Sequence, residues 1–163
     1  RGPQFFTYVT NCAAAPVEVV VGDARLRLRE AAAGAYGLVV LDAFSSDAVP
    51  AHLLTREALD LYLSKLAPGG LIAYHTSNRT LNLDRVVGGI AKEAGLTARV
   101  FNDGAREPAV QKEPSEWVVV ARRPEDLGPL ASDARWRPLD ETTGPLEVWR
   151  DDFSDILSVF KWL

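Results

Sequence analysis

Methionine is absent from this 163-residue sequence, cysteine occurs once, as Cys12, and histidine twice, as His52 and His75. A single cysteine excludes an internal disulfide and any multi-cysteine zinc site, and two isolated histidines give no metal-ligand spacing. No metal is therefore expected. With no methionine there is no initiator residue, so either the N-terminus is processed or the sequence begins partway through a longer polypeptide. Long apolar runs are also missing: none approaches the roughly 18 residues of a membrane span, and Arg1-Gly2-Pro3-Gln4 does not open a signal peptide. A cytoplasmic location is expected, and the lone cysteine leans the same way. Positive charge is in deficit, with 18 basic against 22 acidic side chains and a net charge of −4. That balance argues against a nucleic-acid binder, which would show a basic face, and is compatible with a cationic small-molecule substrate. The twelve glycines contain no G-x-G-x-x-G run.

Hydrophobic residues make up 47% and charged residues 25%, the mix of a folded domain, and the length fits one domain over 1–163. Val17 to Val21 (VEVVV) reads as a buried strand ending at the Gly22-Asp23 turn. Ala24 to Ala33 is helix-prone and is stopped by Gly34. A second buried strand, Tyr36 to Leu41, ends at Asp42, and a Ser- and Asp-rich loop follows to His52. Over Thr55 to Leu66 the spacing of Leu59, Tyr62, Leu63 and Leu66 predicts a helix, ended by Pro68-Gly69-Gly70. Leu71 to Tyr74 is a third strand, running into His75-Thr76-Ser77-Asn78. Leu83 to Ala94 is a helix with Val86, Val87, Ile90 and Ala94 inward, Asn82 as its cap and Gly95 as its stop. Thr97 to Phe101 and Trp117 to Ala121 are further strands. Residues 122–145 are turn-rich. An amphipathic helix is expected over 146–163, with Phe153, Ile156, Leu157 and Phe160 as its apolar stripe and Asp151 and Asp152 at its N-terminus. Apolar strands alternating with helices predict an α/β fold, a parallel sheet with helices on both faces.

In such sheets ligands bind outside the carboxyl ends of the strands. Three predicted strands end in polar residues there: Gly22-Asp23, Asp42, and His75 with the residues after it. Asp23 follows a tight turn, where its carboxylate either accepts a hydrogen bond from a ligand or caps the next helix. Asp42 and Asp47 bracket a short loop and together can hold an ammonium group and take a proton from it, although Asp47 also suits a turn cap. Asp42 is the stronger candidate, because a charge directly after a buried strand is costly unless it is used or paired. His75 either binds or orients a substrate or hydrogen-bonds its neighbours. His52, just before a helix, reads as a surface or capping residue.

The segments Gly22-Asp23-Ala24-Arg25-Leu26, Leu41-Asp42-Ala43-Phe44-Ser45-Ser46-Asp47-Ala48-Val49-Pro50, His52-Leu53-Leu54-Thr55-Arg56-Glu57-Ala58 and Leu66-Ala67-Pro68-Gly69-Gly70 together resemble bacterial spermidine synthase-like proteins. Trp149-Arg150-Asp151-Asp152-Phe153-Ser154-Asp155 is similar to their C-terminal signature. The resemblance implies a Rossmann-like, S-adenosylmethionine-dependent methyltransferase-type fold. It also implies transfer of an aminopropyl group from decarboxylated S-adenosylmethionine to a diamine. By position, it implies that Gly22, Asp23 and Ala24 bind the nucleoside, with Asp23 on the adenine amino group. Asp42 is then the base toward the attacking amine, and Asp47 and His75 contact the amine substrate. Members of this family are often fused to membrane segments, so the parent protein is a candidate for tethering.

Several departures stand out. The family spacing Asp-Ser-Ser-Asp is lengthened here by two residues between Asp42 and Asp47, and His75 replaces a frequent glutamine. The glycine-rich first motif and the acidic residue that grips the ribose are absent, so the sheet is expected to lack its first two strands. By the resemblance, those strands lie between the one ending at Asp23 and the one ending at Asp42. An N-terminal segment or another chain, such as a second copy in a homo-oligomer, is then expected to complete the sheet. All five predicted strands in one continuous sheet would contradict this. The leading reading is an aminopropyltransferase acting on a small-molecule amine. Its rivals are a methyltransferase using S-adenosylmethionine and a non-catalytic binding or assembly module of the same fold.

Overall fold

The computed structural model describes residues 11–43, 50–139 and 145–161. Helix α1 (Ala24–Glu30) leads into strand β1 (Tyr36–Leu41), and α2 (Arg56–Lys65) leads directly into β2 (Leu66–His75). Helix α3 (Leu83–Glu93) is followed by β3 (Thr97–Asp103), β4 (Ser115–Ala121) and the two-residue β5 (Arg137–Pro138). Thr55 caps α2, its hydroxyl accepting from the Ala58 N–H at 3.2 Å, and the helix buries Ala58, Leu59 and Tyr62. Asn82 precedes α3 without a side-chain capping bond, whereas Gly95 ends it in the left-handed region at φ +68°. The Ala67–Gly70 segment is a bulge in β2: Tyr36 pairs with Leu66, but Leu38 pairs with Leu71. Arg122 closes it by donating to the carbonyls of Leu66 and Ala67.

The sheet order is β1-β2-β4-β3-β5, and only β1 and β2 are parallel. β4 runs antiparallel to both β2 and β3, which corrects the expectation of a wholly parallel sheet. The cause is the connection: residues 104–114 carry no α-helix and are too short for the helical crossover that a parallel return needs.

One face of the sheet packs on α2 and α3. Ile72, Tyr74, Val100, Val118 and Val120 meet Leu59, Tyr62, Val86, Val87 and Ile90, while Trp149 and Val159 of the tail close the end. The other face carries a 3-10 segment, Pro124–Ala131, in place of an α-helix. With Trp136 it covers Leu71, Ala73, Val119 and Ala121. It leaves β1 bare, so Tyr36, Leu38 and Val40 stand 39–54% exposed.

Two further expectations are corrected. Val17–Val21 forms no strand, and four of its residues are exposed valines, 53–70% accessible. A β-branched run becomes a strand only when an edge takes its backbone, and no described residue does so here. The five predicted strands therefore do not share one sheet. Nor does the tail form an amphipathic helix: among its described residues the one helical element is the 3-10 turn Leu157–Val159. Local bonds win instead. Arg150 and Phe153 exchange backbone bonds, Asp155 caps the Leu157 and Ser158 N–H groups, and the Trp149 indole N–H donates to the Asp155 carbonyl. Phe153, Ile156 and Leu157 face solvent, while Val159 is buried. Asp151 sits at no helix terminus; it makes a two-pronged ion pair with Arg25 of α1, both contacts 2.7 Å. No helix among the described residues is long and apolar enough to cross a membrane.

Candidate active site

The last register pair of β1 and β2 is Leu41 with Tyr74, so the next residues, Asp42 and His75, come level at the carboxyl end of the parallel pair. Their side chains meet. The His75 Nδ1–H donates to Asp42 Oδ1 at 2.7 Å, the polarity fixed by a carboxylate having only acceptors to offer. Opposite His75 on β4 stands Trp117, and the two rings stack with centroids 4.7 Å apart and planes 17° from parallel. The imidazole is thus held at its edge by a carboxylate and across its face by an indole. Asp42 Oδ2 has no partner among the described residues.

Asp42 also lines a cavity of about 250 Å³ between β1 and the first turn of α1. Its walls are mostly apolar: Ala24, Leu28, Val40, Leu53 and Tyr62. The Tyr62 hydroxyl donates to the Leu53 carbonyl at 3.1 Å, and burial pushes its ionisation well above the ordinary tyrosine range. That wall stays neutral. The cavity is therefore a largely apolar pocket whose lining also includes Asp42 and Arg25, suited to an organic ligand with a polar end.

Asp23 takes its structural role here. Its Oδ1 accepts from the Leu26 N–H at 2.8 Å and caps α1, while Oδ2 lies 3.4 Å from His52 Nε2. The Leu26 bond, with His52 after it, holds this carboxyl below the usual range. Gly22 turns the chain at φ +145°, where a Cβ would come within 2.8 Å of Arg27 Nε. Ala24 begins α1 and lines the cavity, with Asp23 one residue before it. Asp47 lies outside the described residues. The fold thus brings Asp42 and His75 together, and it places Gly22, Asp23 and Ala24 at the helix start beside the same cavity. Trp117 and the His52 partner of Asp23 are additions that sequence reasoning missed. Trp117 becomes visible as a site residue only once β4 is known to pair antiparallel with β2. Among the described residues no group of three His, Cys, Asp or Glu side chains is placed to hold a metal.

No protein-family model matches the chain, and no curated protein does. One solved structure that it resembles is described as a probable spermidine synthase from Corynebacterium glutamicum ATCC 13032. The two share a TM-score of 0.57 at 14% identity, over 87% of this chain and 57% of that one. The fold is Rossmann-like, of the methyltransferase type. At this identity the likeness concerns the fold alone, and the chain spans little more than half the length of that neighbour. In a Rossmann-like sheet the carboxyl ends of the strands form the ligand crevice, which is where Asp42, His75 and the cavity lie.

Proposed function

We propose that the chain carries the acceptor-side part of a spermidine synthase-like aminopropyltransferase. In this reading an amine attacks the sulfonium-bound methylene of decarboxylated S-adenosylmethionine. The nitrogen–carbon bond forms as the carbon–sulfur bond breaks, the bonding pair returns to sulfur as a neutral thioether, and the ammonium proton passes to Asp42. The observation that carries the proposal is the Asp42 carboxylate in the lining of the largely apolar cavity, one oxygen bonded to His75 and the other without a partner among the described residues. A carboxylate so placed attracts an alkylammonium, aligns it, and accepts its proton as the nucleophile forms. Ala24 and Leu28 would stand against the nucleoside side of the donor, and Asp23 would act there through the capped turn it holds.

The Asp42–His75 bond favours one second reading. An imidazole backed by a carboxylate is itself a general base, and methyl transfer from intact S-adenosylmethionine would use it so. Calorimetric titration of the folded chain with both nucleosides, paired with a transfer assay using 1,4-diaminobutane, separates these readings. Asp42→Asn keeps an acceptor for the His75 N–H but cannot take a proton. It is expected to leave binding of the decarboxylated donor within about threefold and to lower kcat by roughly 10²–10⁴. Preference for the intact donor moves the assignment to methyl transfer. Binding of neither by the folded chain overturns both and leaves a non-catalytic assembly module.

A further inference from the structure

The pairing of β2 with β4 continues one step past His75 and Trp117. The Thr76 N–H donates to the Glu116 carbonyl at 2.9 Å, and the Glu116 N–H donates to Ser77 Oγ at 2.7 Å. The Glu116 carboxylate adds two side-chain bonds, accepting from Thr76 Oγ1 at 3.0 Å and from Asn102 Nδ2 at 3.2 Å. Asn102 is the register partner of Glu116 on β3. A polar row thus runs from the end of β2 through the start of β4 to β3.

Side chains alternate across a sheet, so this row and the stacked rings stand on opposite faces of the same strand ends. Thr76, Glu116 and Asn102 are each two residues from Tyr74, Val118 and Val100, and so share the face packed on α2 and α3. Thr76 is fully buried there. His75 and Trp117 take the other face, with ring centroids 4.7 Å apart. A ring stack on the last pair of a ladder is exposed to fraying, because strand ends open first. Here the Thr76–Glu116 pair lies beyond the stack and closes the ladder. The N–H, the C=O and both carboxylate oxygens of Glu116 are all engaged in that closure. Trp117 is only partly buried, and the residue next to it in β4 ties its backbone level with His75.

Resting on the aminopropyltransferase reading for the role of Asp42, we propose that Glu116 is a positioning residue of the site. It clamps β4 to the end of β2, which keeps the Trp117 indole against the His75 imidazole and the imidazole against Asp42. Glu116 acts on the reacting carboxylate through Trp117 and His75, from the opposite face of the sheet.

The test is read by proton NMR on the full chain without any nucleoside, so it stands apart from the transfer reading. An indole stacked on an imidazole displaces the His75 ring-proton signals through its ring current, and His52→Gln tells the two histidines apart. Glu116→Ala is expected to lose at least half of that displacement. Ser77→Ala, which removes only the acceptor of the Glu116 N–H, should lose a smaller part. Glu116→Gln keeps an oxygen for Thr76 at the same reach and should restore most of the signal. Leu127→Ala, packed with Val119 and Ala121 toward the far end of β4, is the control: it should lower the urea midpoint and leave His75 unmoved. Unmoved His75 signals in a folded Glu116→Ala chain overturn the proposal, as does an equal loss in Leu127→Ala, which would mark general loosening. If Glu116→Ala does not fold, unmoved signals in Ser77→Ala overturn it instead. In the transfer assay Glu116→Ala should lower kcat about tenfold and leave KM for 1,4-diaminobutane within about threefold. A change in KM alone overturns the positioning role. A parent chain without transfer activity overturns the aminopropyltransferase reading, and the His75 signals then decide the clamp by themselves.

Discussion

Asp151→Asn tests how the tail is fastened to the first helix. Arg25 is the one buried charged residue among the described residues, its side chain 9% exposed, and Asp151 answers it with both carboxylate oxygens at 2.7 Å. Thr55, the cap of α2, donates to the same carboxylate at 2.7 Å. Removing one partner of a fully buried pair costs about 3–5 kcal/mol, and an exposed pair is worth about 0.2–1 kcal/mol. The Asp151 side chain is 44% exposed, which places the substitution between these limits, at about 2 kcal/mol. For a chain of this length that lowers Tm by about 4–8 °C.

The pH dependence follows from the same contacts. The Arg25 hydrogen bonds, and after them that of Thr55, hold the Asp151 carboxyl at about 2, against 3.8 in the unfolded chain. A folded-state value below the unfolded one gives stabilisation that is complete above about pH 4 and disappears as pH falls toward 2. At full strength the gap corresponds to about 2.4 kcal/mol, and screening of a half-exposed carboxylate reduces it to about 1 kcal/mol. Urea unfolding followed by tryptophan fluorescence should show the parent and Asp151→Asn curves separated at pH 7, and closer by that amount at pH 2. Superimposed curves at pH 7, or a separation that is the same at pH 5 and pH 2, would refute the reasoning. Arg25→Met in the Asp151→Asn background should recover part of the loss, because no buried charge is then left alone.

Gly89→Ala is expected to be severe. A Cβ at this position in α3 would lie 2.0 Å from the Glu147 carbonyl oxygen, which is backbone and cannot swing aside, so the cost is about 3 kcal/mol despite the better helix propensity of alanine. Chemical denaturation, or loss of soluble protein, reads this out. On the bare face of β1, Val40→Lys is expected to change stability by no more than about 0.5 kcal/mol, because the valine is already 53% exposed. The same change should lower binding of an apolar dye, and a loss of several kcal/mol would show that this face is covered in solution.

Helices α2 and α3 and the cores of β1 to β4 were legible in the sequence because each buries one side of a single element, and periodicity records that directly. Thr55 and Gly95 marked their boundaries for the same local reason. Asp42 and His75 were legible as polar residues ending apolar strands. That they bond each other, with Trp117 stacked behind, was not, since it depends on which strands pair and in what register. The antiparallel entry of β4 decided it, and nothing local to β4 encodes its direction. Asp23 was readable as cap or ligand, and of these the structure shows the cap, its carboxylate accepting from the Leu26 N–H at 2.8 Å.

The misread segments share a cause. Val17–Val21 has the composition of a strand, but a strand is a relation between two segments, and its local signal is silent about whether a partner edge is present. The tail has helical periodicity over Phe153, Ile156, Leu157 and Phe160. Yet Asp151 is drawn to Arg25, and Asp155 caps a tighter turn, so long-range and side-chain bonds displaced the helix. Local pattern in the chain was enough to give the elements, the α/β class and the polar residues at the strand ends. Strand direction, the bare face of β1 and the Asp42–His75–Trp117 cluster emerged with long-range pairing, because periodicity is set within one turn or pleat whereas pairing is set between residues far apart in the chain.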